Sequence, residues 1–589
     1  MEKRNNDRSL RVLVENAAAI ALAENGLPAE LGRSSDCPRP EAGDLSISAA
    51  LAAAKILRKP PMEIARILAE RMTMELAEIA KVEVAHPGYV NVRFTDEAIA
   101  AALVDSENSA LGIPAAKTPQ TIVLDFGGPN IKPMHVGHLR SLVIGESLRR
   151  ILSAVGHSVV SDIHLGDWGL PLGMILSEIK LRVPEAPWFT GADEFPDALP
   201  LSAEAMAVIY PEAAADCKVD PERMAIARAA TADLQAGNQA LRHLHGLVVR
   251  DAKVGILAAC DRLGAHFDLL LGESDAQPEI PAILAELEAA GIAERDGDAL
   301  VAKVALENDS RPMPPLTLAK ADGSALYATT DLATIRARAR DIKPDAILYV
   351  VDGRQDLHFE QTFRVARAAG LAGDAKLEHV PFGTVNGPDG RPFKTRDGGA
   401  MRLEALLDLA RDAAKRRIED GERMPEATEA ERDAAAEAIG LAALKIAELS
   451  SDRSSGYILD VERALSFEGR TGPRLLYSVV RIRSILRKAG LVPEGTRPAV
   501  GHPAERRLAL AALDMGKAVA KAAERRAPHE LVASAFDVAD AIGRLYAELP
   551  IIACEDPDER AARLALVASA GRRLEKALEL LGLVIPQAM

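Results

Sequence analysis

The chain has 589 residues, 48% hydrophobic and 27% charged, with a formal net charge of −15 and four cysteines. That length holds about three or four domains with real cores, and the acidic balance argues against a generic nucleic-acid binder while leaving room for local basic surface. No stretch approaches the roughly 20 apolar residues of a membrane helix. Cys37, Cys217, Cys260 and Cys554 lie far apart, and no C-x-x-C or H-E-x-x-H occurs, which argues against zinc and suits a reducing cytoplasm.

Residues 1–118 read as a small α/β unit. Glu15 and Glu24 interrupt its opening apolar run, so that run is not a secretory leader. Helical stretches near residues 10–25 and 64–74 flank VEVAHPGYVNVRF. Alternation in GYVNVRF puts Tyr89, Asn91 and Arg93 on one face and Val90, Val92 and Phe94 on the other. Two readings stay open: an ordinary amphipathic edge strand, or a face able to stack on and hydrogen-bond an unpaired base. Residues 109–119 read as a linker.

TIVLDF (residues 121–126) is short, β-branched and apolar, and stops at Gly127-Gly128-Pro129. It reads as a buried strand entering a loop. From His135 onward Leu139, Leu142, Val143, Ile151, Leu152 and Val155 recur at helical spacing, with Gly156 as the stop. His135 and His138 therefore share one face at the positive end of a helix dipole. Gly137 between them lacks a Cβ, so a flat ring or a phosphate can approach. Strand, glycine loop and histidine-bearing helix make a place for a nucleoside triphosphate. The alternatives are a metal-ligating pair or plain polar residues at a helix end.

Residues 157–174 supply a second strand and a glycine-bounded turn, in which Trp168 reads as a packing plug. Residues 178–264 are mostly helical and read as an insertion between the halves of a doubly wound sheet. FDLLLGES (residues 267–274) reads as a strand ending at Glu273. Tyr327 and Asp331 are four apart, so one helix turn presents both to the same cavity. ILYVV (residues 347–351) is a strand whose polar exit loop holds Gln355 and His358, where parallel-sheet enzymes bind ligands. A glycine-rich loop follows, with Lys394 and Arg396.

The remainder is helical, at about residues 429–448, 474–489, 504–526 and 529 to the end. Within it, residues 469–488 carry Arg470, Arg474, Arg481, Arg483, Arg487 and Lys488 with no acid. That stretch is either a contact surface or a solvated helix face.

PN-I-KPMHVGHLRS resembles the ATP-binding signature of class I aminoacyl-tRNA synthetases, and its Asn130, Lys132 and Leu139-Arg140-Ser141 resemble the arginyl-tRNA synthetases. The resemblance recurs in order: GDWG at 166–169, GES at 272–274, LYATTDLA at 326–333, and LSFEGRTGPRLLYS at 465–478. It implies an α/β multidomain fold. Residues 119–430 would form a Rossmann-like doubly wound catalytic domain with the helical insertion at about 178–264. Residues 1–118 would form the additional N-terminal domain that contacts the tRNA D-arm, and 431–589 an all-α anticodon-binding domain.

It also implies an arginine–tRNA ligase activity using L-arginine, ATP with Mg²⁺ and tRNA(Arg), with no bound zinc, as a monomer in the cytoplasm. On that resemblance His135 and His138 contact the phosphates, Gly137 makes room for the nucleoside, and Lys132, Lys394 and Arg396 supply positive charge. Glu273, Tyr327 and Asp331 match residues that read the guanidinium, and Asn130, His135 and Gln355 those that hold the ammonium and carboxylate. Tyr89, Asn91, Arg93, Tyr457, Arg470, Arg474 and Tyr477 are the matching candidates for tRNA contact. From the residues alone, Asp331 can also be a helix cap or ion-pair partner, and Glu273 a surface strand end.

Three departures stand out. RPFKTRDGG replaces the K-M-S-K-S loop, and the Asn130-Ile131-Lys132 loop is one residue shorter than the family pattern. T-G-P-Y-L-Q-Y-A becomes TGPRLLYS. The first two leave open a non-catalytic paralogue that binds tRNA or senses arginine. Another class I amino acid is the second alternative.

Overall fold

The computed structural model describes residues 9–589 except Pro40, Lys132, residues 321–325, Pro388, residues 392–400, residues 422–423 and Leu491. Thr121–Phe126 lies at the middle of a parallel sheet, between Ala346–Val350 and Ser158–Asp162, with Lys376–His379 outside Ala346–Val350. Its side chains feed two separate cores. Ile122, Leu124 and Phe126 join the core shared with the helix Gly137–Ala154, whereas Val123 joins one built with the helices Tyr327–Asp341 and Asp356–Ala368. A parallel sheet covered on both faces has no wet side, which is why TIVLDF and ILYV are unbroken apolar runs.

The segment read as an insertion is helical: Leu170–Arg182, Ala203–Val219, Pro221–Gln235 and Gln239–Arg262. FDLLLGES departs from the expected strand. It runs along the sheet edge without forming a strand, making isolated bridges from Asp162 to Leu269 and Leu165 to Gly272 and hydrogen bonds between Ser161 and Asp268, before turning into a short helix at Glu273. An antiparallel three-stranded unit, Ala293–Asp296, Ala299–Ala302 and Leu316–Ala319, follows. Its four-residue strands carry too little periodicity to have been expected.

In the N-terminal unit the strands Ser34–Asp36, Leu45–Ile47, Tyr89–Phe94 and Ala80–Ala85 form an antiparallel sheet in that order. Tyr89–Phe94 is thus an inner strand, paired on both sides, and not the edge strand its alternation suggested. The C-terminal helices Glu429–Leu449, Gly472–Ala489 and Pro503–Arg525 follow the expected pattern. The last segment is two helices, His529–Glu548 and Pro557–Leu580, parted where Pro550 interrupts and Asp556 caps the second.

The N-terminal unit docks on the C-terminal helices through buried arginines. Arg506 reaches Asp44 at 2.5 Å, Asp96 at 2.6 Å and the Phe94 carbonyl at 2.9 Å. Arg573, only 1% exposed, meets Glu107, the Ser106 hydroxyl and the Leu103 carbonyl. No helix among the described residues is long and apolar enough to cross a membrane.

Candidate active site

The signature helix Gly137–Ala154 starts beyond the carboxyl end of Thr121–Phe126, as the ligand side of a parallel sheet requires. Ser141 on its first turn ties two strand tips together. Its hydroxyl accepts from the Gly127 amide at 2.7 Å and donates to the Val350 carbonyl at 2.7 Å. His135 and His138 sit side by side with ring centroids 4.0 Å apart. The Gly137 amide donates to His135 Nδ1 at 3.1 Å, so the neutral ring carries its proton on Nε2.

Gly137 also lets the His135 ring lie against the backbone. A Cβ there would lie 2.8 Å from His135 Cε1, inside the ring's own van der Waals envelope. Asn130 is held against the GDWG turn by its bridge to Gly166. Lys132, Lys394 and Arg396 lie outside the described residues.

Across the sheet tips the expected guanidinium residues come together. Tyr327 and Asp331 occupy the first turns of Tyr327–Asp341. His358, at the start of Asp356–Ala368, donates from Nε2 to Asp331 at 2.5 Å and stacks on Tyr327 with centroids 4.4 Å apart and planes 2° from parallel. The Tyr327 hydroxyl donates to Gln355 Oε1 at 2.9 Å. Burial, then the neighbouring Asp331 carboxylate, push the Glu273 carboxyl up to about 7. The Tyr327 phenol is raised by burial and by both acids. Two carboxylates, a phenol and an amide therefore face one space, with His358 bracing them.

The GDWG turn places Glu273. Asp167 accepts from the Ser274 amide at 2.8 Å and from the Ser274 hydroxyl at 2.7 Å, pinning the residue next to the acid. Trp168 is the packing plug expected of it, edge-on to His245 at 5.5 Å. Beneath the pocket, Arg338 lies two turns below Asp331 on the same helix and pairs with Asp125 at 2.6 Å and Asp162 at 2.5 Å. That ion pair anchors the pocket helix to two strand ends. Sequence reasoning put His358 in the ligand-side loop beyond a strand tip, but assigned no role to Asp167, Ser141 or Arg338. A signal existed only for Arg338, whose spacing of seven from Asp331 marks one helix face.

Two candidates for tRNA contact, Asn91 and Tyr457, are corrected. Asn91 is 6% exposed and its Oδ1 accepts from the Ser46 hydroxyl at 2.8 Å, because the neighbouring strand and the loop at Gly43 cover that face. Tyr457 has a buried hydroxyl and lies 5.2 Å under the Arg140 guanidinium, so it packs between parts of the chain instead of meeting a base. Arg470 is exposed and lies 4.6 Å over the Phe536 ring, and half-buried Arg474 pairs with Asp540 and the Gly469 carbonyl, so both stay at the surface. In the same stretch Arg481 covers Tyr546 at 4.4 Å and Arg483 pairs with Glu575 at 2.6 Å. Some of the acid-free run therefore meets partners from other helices while staying at the surface, where Arg470, Arg481, Arg483, Arg487 and Lys488 are all exposed. Tyr89, Arg93 and Tyr477 remain on the surface.

Residues 98–461 match the family model "tRNA synthetases class I (R), catalytic domain". Residues 475–589 match "DALR anticodon binding domain" and 12–94 match "Arginyl tRNA synthetase N terminal domain". The arginine–tRNA ligase of Maricaulis maris is 42% identical, over 97% of this chain and 98% of that protein. That of Hyphomonas neptunium is 40% identical, over 99% and 100%. Among solved structures, Thermus thermophilus arginyl-tRNA synthetase is similar with a TM-score of 0.79 at 28% identity, covering 98% of this chain and 100% of that one. With a catalytic-domain match over more than half its length and such relatives end to end, the chain belongs to the arginyl-tRNA synthetase family.

Proposed function

We infer that the chain is an arginine–tRNA ligase. A carboxylate oxygen of L-arginine attacks the α-phosphorus of Mg·ATP, the bond to the β-phosphoryl oxygen breaks, and pyrophosphate leaves arginyl-AMP. The tRNA(Arg) 3′-terminal hydroxyl then displaces AMP. The observation that carries this reading is the convergence of Glu273, Asp331 and Tyr327 beside Gln355, across the strand tips from the histidine pair. A guanidinium is a planar cation with a fixed fork of donors, and acids plus a phenol supply acceptors for it. Lysine, with one ammonium, would leave part of that set unpaired, at a cost of about 1–3 kcal/mol per stranded group.

The first step asks little covalent work of the protein. It must align two anions and stabilise the charge of the pentavalent state. His135 and His138 would donate from the helix start, with Lys132, Lys394 and Arg396 as further cations. Asn130, His135 and Gln355 would hold the amino acid's own ammonium and carboxylate. We read the chain as three parts, residues 1–118, 119–430 and 431–589, acting as a monomer in the cytoplasm. Tyr89 and Arg93 would face the D-arm, and Arg470, Arg474 and Tyr477 the anticodon arm.

Amino-acid-dependent pyrophosphate exchange, run with tRNA present across the twenty amino acids, tests the assignment. Arginine alone should give strong exchange, and a strong signal with another amino acid rejects it. Asp331→Asn should raise the arginine KM about 10²-fold and leave the ATP KM within about twofold, since a charged hydrogen bond is lost from the pocket and none from the phosphates.

A further inference from the structure

The signature helix is tied to the C-terminal helices by one short turn. Arg140, 1% exposed and on the same first turn as the histidines, donates from Nε to Glu448 at 2.7 Å, at the end of Glu429–Leu449. Its other nitrogens reach the carbonyls of Ser455 at 2.9 Å and Arg453 at 3.2 Å. The Arg453 carbonyl also accepts from the Gly383 amide at 2.9 Å.

The Arg453 side chain reaches two further places. It donates from Nη1 to the Pro381 carbonyl at 3.0 Å and from Nε to the Arg526 carbonyl at 2.9 Å. Pro381 opens the loop at the carboxyl end of Lys376–His379, on the ligand side of the sheet. Arg526 is the left-handed cap that ends Pro503–Arg525 in the helical bundle. The loop and the turn are in close contact. A Cβ on Gly383 would lie 2.6 Å from the Gly456 nitrogen, and Val385–Asn386 pairs in parallel with Tyr457–Ile458. One residue thus touches the histidine helix, the loop after the last strand and the end of a bundle helix.

We propose that Arg453 is a positioning residue that couples the anticodon-binding bundle to the ATP-binding side of the sheet. It acts through Arg140 on the histidines and through Pro381 and Gly383 on the loop opposite, and touches no substrate itself. A shift of the bundle helix at Arg526 would move the guanidinium, and with it both walls. This rests on reading the bundle as the part that meets the anticodon, which the domain match supports. Coupling between sites is a free energy visible only when both are perturbed together.

The test is a cycle between Arg453→Met and a tRNA(Arg) with one anticodon base replaced. In the natural chain the replacement should lower both tRNA affinity and the kcat of aminoacylation. In Arg453→Met, kcat with normal tRNA should fall about 10²-fold. The base replacement should then cost affinity as before but change kcat by less than about twofold. An anticodon effect on kcat equal to that in the natural chain overturns the proposal.

A second measurement on the unaltered chain covers the case in which the variant does not fold. An RNA hairpin with only the tRNA(Arg) anticodon stem and loop should alter amide hydrogen exchange at residues 381–386 and 137–141. A hairpin that binds and changes exchange only within 472–580 overturns the coupling. A hairpin that does not bind overturns the reading of the bundle, and the coupling with it.

Discussion

Glu273 is largely buried close to the Asp331 carboxylate, so a second negative charge is poorly solvated there. Glu273 gives way, its carboxyl held near 7 by burial, with Asp331 and Asp167 opposing ionisation and His164 and the Trp168 backbone favouring it. Below pH 7 an arriving guanidinium must displace that proton, whereas above it the carboxylate is ready. Arginine affinity should therefore rise with pH up to about 7, by at most about tenfold per unit, and then level off. Calorimetric titration at pH 6, 7 and 8 checks this, and a dissociation constant flat over that range would refute it. Glu273→Gln should bind arginine weakly at every pH. Because the acid's folded value lies above its unfolded one, its contribution to stability is lost as pH rises through 7. At pH 8 the empty Glu273→Gln chain should be more stable by about 1–3 kcal/mol.

The two acids were visible in the sequence only through family motifs, because neither GES nor a Tyr-x-x-x-Asp pair says what it faces. His358 was placed correctly beyond a strand tip, but its partner Asp331 lies 27 residues away and no local pattern joins them.

The signature helix was the clearest element to read, since Leu139, Leu142, Val143, Ile151 and Leu152 repeat at helical spacing and all are buried. Its polar work was not readable. Ser141 bridges Gly127 and Val350, 14 and 209 residues away, and only strand packing brings those carbonyl and amide groups together. Ser141→Ala would leave a buried amide and a buried carbonyl without that partner. We expect a loss of about 2–4 kcal/mol in urea unfolding, with adenylate formation slowed more than tRNA binding is weakened. Unfolding at the natural urea midpoint would mean that the bridge does not hold the strand tips. The basic helix Gly472–Ala489 teaches the converse. The run itself contains no acid, yet Asp540 and Glu575 come from other helices to form surface pairs with Arg474 and Arg483.

Domain arrangement rests on buried ion pairs whose halves lie more than 400 residues apart, Arg506 with Asp44 and Arg573 with Glu107. Removing one partner of a buried pair costs more than removing both, since a charge is otherwise left in a poor solvent. Arg573→Ala should destabilise the chain by about 2–4 kcal/mol and speed proteolysis within residues 108–119. The double variant with Glu107→Ala should lose less than the two single changes added together. Strict additivity would show that the pair does not hold the N-terminal unit in place.

Hydrophobic periodicity, glycine stops and an ordered set of short motifs determined, without coordinates, that a parallel sheet carries a nucleotide loop between a small α/β unit and a helical end. Those signals are local, and an apolar face or a tight turn is encoded within a few residues. Which acids meet, that Asn91 and Tyr457 are covered, and that Arg453 touches three parts of the molecule were decided only by the tertiary structure. Hydrogen bonds and ion pairs need partners within about 3 Å, and the chain brings those partners from distances along the sequence at which no pattern remains.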